Sequence, residues 1–296
     1  MLIIMADRPR FGSAGMPLGF KVLKRPVTEM PKYLRAEGLD SFEYQMVRWG
    51  PVPQIRREMA EQLGKNAVEN DVWLTTHGSY FINLTAAQKD VLEASKKRLL
   101  ACVTGANWMG AHIVVIHPGA YGGRPPQEVY SICEKAMKEV VANMRSLGIT
   151  KVHLAPETMG KPSQFGSLDE VLRLCQNVEL TEPNVDWAHL HARDRGRFKT
   201  VDDIGKVMDE IEKCLGSNAL KNLHCHYSHI EFTDKGERRH HNLDVTEYGP
   251  DFKLLAKLIA ELGLKPVIAC ETPNLDLDAI KLRAMVLKEL KAKGKM

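Results

Sequence analysis

The chain of 296 residues has no long apolar run; stretches such as Ile113 to Ile116 are far too short to cross a bilayer, which excludes a spanning helix. The opening Met1 to Met5 carries no basic leader and no cleavage pattern, so no export signal is expected. Cys102, Cys133, Cys175, Cys214, Cys225 and Cys270 include no C-x-x-C pair, which speaks against a thiolate zinc site and a disulfide framework. The thiols read as reduced ones in a cytoplasmic protein. A large charge excess is missing too: 41 Lys and Arg face 37 Asp and Glu, a formal +4 that suits an anionic substrate without requiring one. No composition break, Ser/Gly linker or tandem repeat marks a boundary, and one domain over residues 1–296 is expected.

What is present is a chain 44% hydrophobic and 26% charged, able to bury a large core and unlike a disordered, collagen-like or coiled-coil sequence. Short β-rich runs alternate with longer amphipathic stretches, the pattern of repeated βα units on a parallel sheet. Strands are predicted at Pro9–Ser13, Ser41–Val47, Val72–Gly78, Ile113–His117, Lys151–Pro156, Val185–His189, Asn222–His226 and Pro266–Glu271. Helical spacing covers Ala86–Thr104, Glu128–Leu147, Val201–Leu215 and Phe252–Leu262, the last two running into Gly216 and Gly263 as possible C-caps. The whole reads as an α/β (βα)8 barrel.

Several predicted strands end on a residue able to bind a metal: His77, His117, Glu157, Asp186 with His189, His224 and Glu271. In a parallel barrel all C-terminal strand ends converge on one mouth, so these residues meet without any local ligand spacing. Imidazoles with carboxylates form a set that zinc prefers and that manganese or iron accepts; an all-oxygen set would favour magnesium or calcium. The cluster also exceeds what one tetrahedral zinc uses, and Glu157 or Glu271 can bridge neighbouring ions, which points to two or more metals. Ions held roughly 3.5 to 4 Å apart supply a bridging hydroxide for phosphoryl displacement, hydrolysis without a protein nucleophile.

Taken singly, each residue has a plainer explanation. A His after a buried strand is commonly a hydrogen-bonded structural group, and Glu157 or Glu271 could cap a following helix. Core packing does not, however, place ionisable groups repeatedly at equivalent strand ends. His112 and His153 start strands and belong to the opposite end of the barrel; His191, His226 and His229 have no unique role. Tyr80 and Phe81, on the loop after His77, could stack on bases or wedge into a duplex, or could plug the loop onto the next helix. Arg193, Arg195, Arg197 and Lys199 could contact phosphates or form a solvated loop.

The ordered set His-Gly-Ser-Tyr-Phe-Ile-Asn-Leu at 77–84, Val-Val-Ile-His-Pro-Gly at 114–119, Pro-Glu-Thr-Met-Gly at 156–160, Asp-Trp-Ala-His at 186–189, His224 and Glu-Thr-Pro at 271–273 resembles the endonuclease IV family. That resemblance runs over nearly the whole chain. It implies a zinc-dependent apurinic/apyrimidinic endonuclease on a TIM barrel, a fold shared with xylose-isomerase-like sugar enzymes. His77 and His117 would then hold one zinc, with Glu157 bridging to a second completed by Asp186, His224 and Glu271. Glu157 and Glu271 would also position or deprotonate the nucleophile, and His189 would bind a third ion. The family's partner pair for that ion has the form Asp-Arg-His, whereas this chain reads Glu237-Arg238-Arg239-His240-His241. Matching His240 puts Arg238 where the Asp belongs; either Glu237 substitutes by a shifted register or the third site is vacant, and His241 stands beside His240 as the alternative histidine. Tyr80 matches the family's loop aromatic, and Arg48 is the nearest counterpart of its DNA-contacting Arg. The implied partner is double-stranded DNA carrying an abasic site. A one-metal sugar isomerase or epimerase, and a damage binder that has lost catalysis, are the competing expectations.

Overall fold

The computed structural model describes residues 6–295. Eight parallel strands form one sheet: β1 (Arg10–Ala14), β2 (Ser41–Gln45), β3 (Trp73–His77), β4 (Ile113–Ile116), β5 (His153–Pro156), β6 (Asn184–Asp186), β7 (His224–Tyr227) and β8 (Val267–Cys270). The spatial order is β5-β4-β3-β2-β1-β8-β7-β6. Parallel bridges from Leu154 to Thr181 and from Glu157 to Asn184 join the two ends, closing the sheet into an α/β TIM barrel.

Alternation along each strand sends one set of side chains outward to the helices and the other into the barrel. Phe42, Leu74, Val114, Leu154, Val185, Cys225 and Ile268 are buried in the large apolar layer under the helices. Ile113, Val115 and Ala155 make a separate small cluster, the apolar part of the barrel's interior. On Pro126–Ser146, Val129, Cys133, Met137, Val140 and Met144 recur at helical spacing and are all buried. Each such side chain contributes about 1.5–3 kcal/mol when taken fully from water. Ser167 and Thr200 start helices Leu168–Asn177 and Val201–Leu215 with reciprocal capping boxes to Glu170 and Asp203. Gly263 ends Phe252–Leu262 in the left-handed conformation that its lack of a Cβ permits.

The strand expected over 185–189 is shorter than its sequence suggests. β6 stops at Asp186, because that carboxylate accepts the His189 amide at 2.7 Å and caps a helix over Trp187–Arg193. His189 therefore sits in a first helical turn. A further antiparallel hairpin, His229–Thr233 with Gly236–His241, follows β7 and folds over the C-terminal mouth. At the opposite end, His112 stacks on Trp73 at 3.6 Å and His153 faces Glu182 at 3.3 Å. No described helix is long and apolar enough to cross a membrane.

Candidate metal centre

Glu157 lies just beyond β5 with no exposed surface, and imidazoles close around it. Its Oε2 is 3.5 Å from His77 Nε2 and 3.2 Å from His117 Nε2. Its Oε1 is 3.1 Å from His189 Nδ1 and 3.4 Å from His226 Nδ1. Burial alone would raise the Glu157 carboxyl, but His226 and His117 outweigh it and hold it well below the usual carboxylate range. His226 is in turn driven well above its ordinary value, because Glu43, Glu271 and Glu157 overcome its desolvation. At His77, Nδ1 lies 2.9 Å from the Gly78 carbonyl and donates there, so a neutral ring would carry its lone pair on Nε2, toward Glu157.

Among the described residues, four sets bring their ligand atoms within 4.8 Å of one another: His77, His117 and Glu157; Glu157, Asp186, His226 and Glu271; His189, His240 and Glu271; Glu43, His224 and His226. Of the residues singled out from the sequence, His77, His117, Glu157, Asp186, His189, His240 and Glu271 thus meet at one mouth. His224 is displaced from the place expected for it. It belongs with Glu43, at 3.3 Å, and the set containing Asp186 and Glu271 is filled by His226. The two histidines are two apart on β7, so both face the barrel interior, and the one nearer the strand's C-terminal end reaches the mouth.

The third set depends on the hairpin. A bulge between Glu231 and Phe232 leaves Arg238 without a partner across the ladder, since Glu231 pairs with Arg239 and Phe232 with Glu237. The extra residue turns Glu237 and His240 to the same side. Glu237 Oε2 then reaches His189 Nε2 at 2.9 Å, while Arg238 points to solvent and pairs with Glu231 at 2.6 Å. Two glycines admit this approach. A Cβ on Gly160 would lie 2.2 Å from Glu237 Oε2, and one on Gly236, whose φ is +92°, would lie 2.4 Å from the Gly160 carbonyl. His189, Asp186 and Lys161 bear on the same corner. Burial opposes ionisation of Glu237, but His189 pulls its carboxyl down to about 2.

The donor set fits cations. Both Glu157 oxygens, Asp186 Oδ2, His226 Nδ1 and Glu237 Oε2 are buried without an aligned hydrogen bond, the condition that a bound ion relieves. Burial pushes Glu271 up to about 8, assisted by Glu157 and Asp186, and a cation at that point would reverse the shift. Neutral imidazoles with carboxylates favour zinc, manganese or iron over calcium.

On the rim, Tyr80 and Phe81 are 57% and 61% exposed, while Ile82 and Leu84 beside them are buried and supply the plug that fastens this loop. Tyr80 stacks on His117 at 5.3 Å. Arg48 is exposed on the segment leaving β2, whose Val47 carbonyl accepts the Tyr80 amide. Arg193 is otherwise engaged: its guanidinium donates to the carbonyls of Met159, Lys161 and Gln164 and ties that loop down. Arg195 and Arg197 pair with Asp234 and Asp194. His191 and His229 serve local packing, the first accepting the Phe198 amide and the second facing the Val245 carbonyl. Glu43 was not expected, because it lies within its strand and not at the end. The only sequence signal is the polar alternation Ser41, Glu43, Gln45 in a strand whose other residues are aromatic.

A closed eight-stranded parallel barrel with imidazoles and carboxylates gathered at the C-terminal strand ends defines an α/β barrel carrying a candidate metal centre. Residues 31–290 match the family described as xylose isomerase-like TIM barrel, and the chain belongs to it. An uncharacterised protein of Methanocaldococcus jannaschii is 29% identical over 272 residues, covering 92% of this chain and 94% of that one. A Listeria monocytogenes protein named probable endonuclease 4 is 27% identical over 256 residues, 82% of this chain and 80% of that one. Among solved structures, endonuclease IV from Thermus thermophilus superposes with a TM-score of 0.69 at 20% identity, covering 95% of this chain and all of that one. A D-tagatose 3-epimerase-like protein shares the fold with a TM-score of 0.62 at 16% identity over 87% of this chain and 90% of that one. The likeness to endonuclease IV read from the motifs is borne out, on a fold that the epimerase-like protein shares.

Proposed function

We propose that the protein is a zinc-dependent phosphodiesterase that cleaves duplex DNA on the 5′ side of an abasic site, leaving a 3′-hydroxyl. The observation that carries this reading is the number of ligand sets. Three of them adjoin at one mouth and share Glu157 and Glu271, more than a one-metal isomerase uses. His77, His117 and Glu157 would hold one ion, Glu157, Asp186, His226 and Glu271 a second, and His189, His240 and Glu271 a third, with Glu237, 2.9 Å from His189 Nε2, as a further donor. When bound, such ions supply Lewis acidity toward a phosphodiester and a water acidic enough to attack at neutral pH.

The protein's own groups then bind and orient the substrate. Lys21, Lys24, Arg48 and Arg56 lie exposed on the segments leaving β1 and β2, in ion pairs with no carboxylate among the described residues, and suit phosphate contacts. Tyr80 and Phe81 offer faces to the stack at the gap. An abasic nucleotide lacks a stacked base, so extruding it costs less than extruding an intact one, which supports damage selectivity.

A second reading, a sugar epimerase, draws support from the Glu157 and Glu271 pair, whose environments push their carboxyls in opposite directions as proton transfer to and from carbon requires. Cleavage of a synthetic abasic duplex with and without chelator, run beside a ketose epimerisation screen, decides between them. Chelator-sensitive nicking supports the nuclease; epimerisation without nicking refutes it.

A further inference from the structure

We propose that Glu43 is a positioning residue that fixes the tautomer and ring orientation of His226, and that His224 serves this same carboxylate instead of an ion. The proposal rests on the metal reading above. Glu43 sits midway along β2 with no exposed surface. Its Oε2 lies 2.9 Å from His226 Nε2 and 3.3 Å from His224 Nε2, and its Oε1 accepts from Gln45 Nε2 at 2.9 Å. Among the described residues its hydrogen-bond partners are all nitrogens, those of Gln45, His224 and His226.

The chemistry follows from what an imidazole can do. An ionised carboxylate only accepts, so a neutral ring facing it keeps its proton on Nε2 and leaves Nδ1 as the lone pair. His226 Nδ1 faces Glu271 Oε1 at 3.3 Å and Glu157 Oε1 at 3.4 Å with no aligned hydrogen bond, and a cation seated among them would displace its proton and take that lone pair. One nitrogen is thus committed to a carboxylate and the other aimed at the ligand cluster, the arrangement by which a carboxylate orients a ligating histidine and raises its basicity. His224 spends its Nε2 proton on the same oxygen and shares a ligand set only with Glu43 and His226. It steadies Glu43 from below, and the carboxylate holds both rings without being a ligand. The competing arrangement is an ion seated between Glu43, His224 and His226.

Metal content and affinity distinguish these. Full-length protein is stripped, reloaded with Co2+ and titrated with a chelator while its visible absorption is followed. Glu43→Gln should bind the wild-type number of ions at saturation but release one of them at about 10–100-fold lower chelator concentration, with an altered Co2+ band. His226→Gln should bind one ion fewer, and His224→Gln the full number. Wild-type affinity and spectrum in Glu43→Gln would show that Glu43 only fills the barrel. One ion fewer at saturation in Glu43→Gln or in His224→Gln would make that residue a ligand and overturn the proposal. Should Glu43→Gln fail to fold, the ion counts of the two histidine variants still decide. A wild-type chain that retains no ion is a different failure, of the metal reading itself.

Discussion

Glu237 and Arg238 are neighbours in sequence, but the bulge gives them opposite fates, so substituting each tests the geometry of the hairpin. In the metal-free protein, Glu237 and His189 form a mostly buried contact of 2.9 Å, with the Glu237 side chain 15% exposed. Desolvation opposes charge on His189, yet Asp186 and Glu237 raise it well above 6.5; Glu237 falls from 4.5 to about 2. The sign of each contribution differs. Stability from the raised histidine is complete below 6.5 and is lost as pH rises through its folded value. Stability from the depressed carboxylate is complete above 4.5 and is lost as pH falls toward about 2. Both are therefore fully present between 4.5 and 6.5. Breaking a buried pair costs about 3–5 kcal/mol, and the residual exposure of Glu237 places Glu237→Gln near the lower end. Arg238, with its side chain 67% exposed, pairs with Glu231 on the surface, where such pairs contribute less than about 1 kcal/mol. Denaturant unfolding of chelator-treated protein near pH 5.5 should thus separate Glu237→Gln from Arg238→Ala by about 2 kcal/mol or more. Elemental analysis after reloading and dialysis should find the ion at His189 and His240 lost from Glu237→Gln and kept by Arg238→Ala. The reverse pattern, or equal behaviour of the two variants, would refute the register that places Glu237 against His189.

Glu157→Gln and Glu271→Gln keep shape and remove charge from the point where the ligand sets join; each should lower nicking of an abasic duplex on the order of 1000-fold, about 4 kcal/mol, with an unchanged circular dichroism spectrum. Near wild-type turnover in either would sink its assignment. Tyr80→Ala should weaken binding to an abasic duplex more than to an undamaged one, measured by fluorescence anisotropy, since its exposed ring is placed for the gap. Equal losses on both duplexes would return Tyr80 to a packing role. Affinity for either duplex should fall as salt rises, through counterion release, and a salt-independent affinity would exclude phosphate contacts.

The barrel was legible because its strands are short, apolar and separated by long amphipathic helices; every predicted strand has a counterpart within a few residues. Most of the candidate centre was legible for a topological reason, since parallel strands all deliver their last residues to one mouth. What escaped the sequence is finer than a strand. Which of His224 and His226 stands beside Asp186 and Glu271 depends on the height of each ring within the barrel, and two residues of equal facing give no hint of it. Glu43 acts from a strand's middle, where ending rules do not look. Asp186 ends its strand early by capping, which moved His189 from strand to helix without moving it from the site.

The bulge at Arg238 also bears on how a sequence motif encodes a pair of ligands. In a regular strand, residues at i and i+2 face one way, which is the spacing of Asp-Arg-His. One inserted residue makes the equivalent spacing i and i+3, which is Glu237-Arg238-Arg239-His240. If Glu237 serves as a ligand, the two spellings would present the same pair of groups, the longer glutamate side chain spanning the offset that the bulge adds. Comparing such chains column by column would score a vacancy at Arg238, although a carboxylate one place along, Glu237, reaches His189.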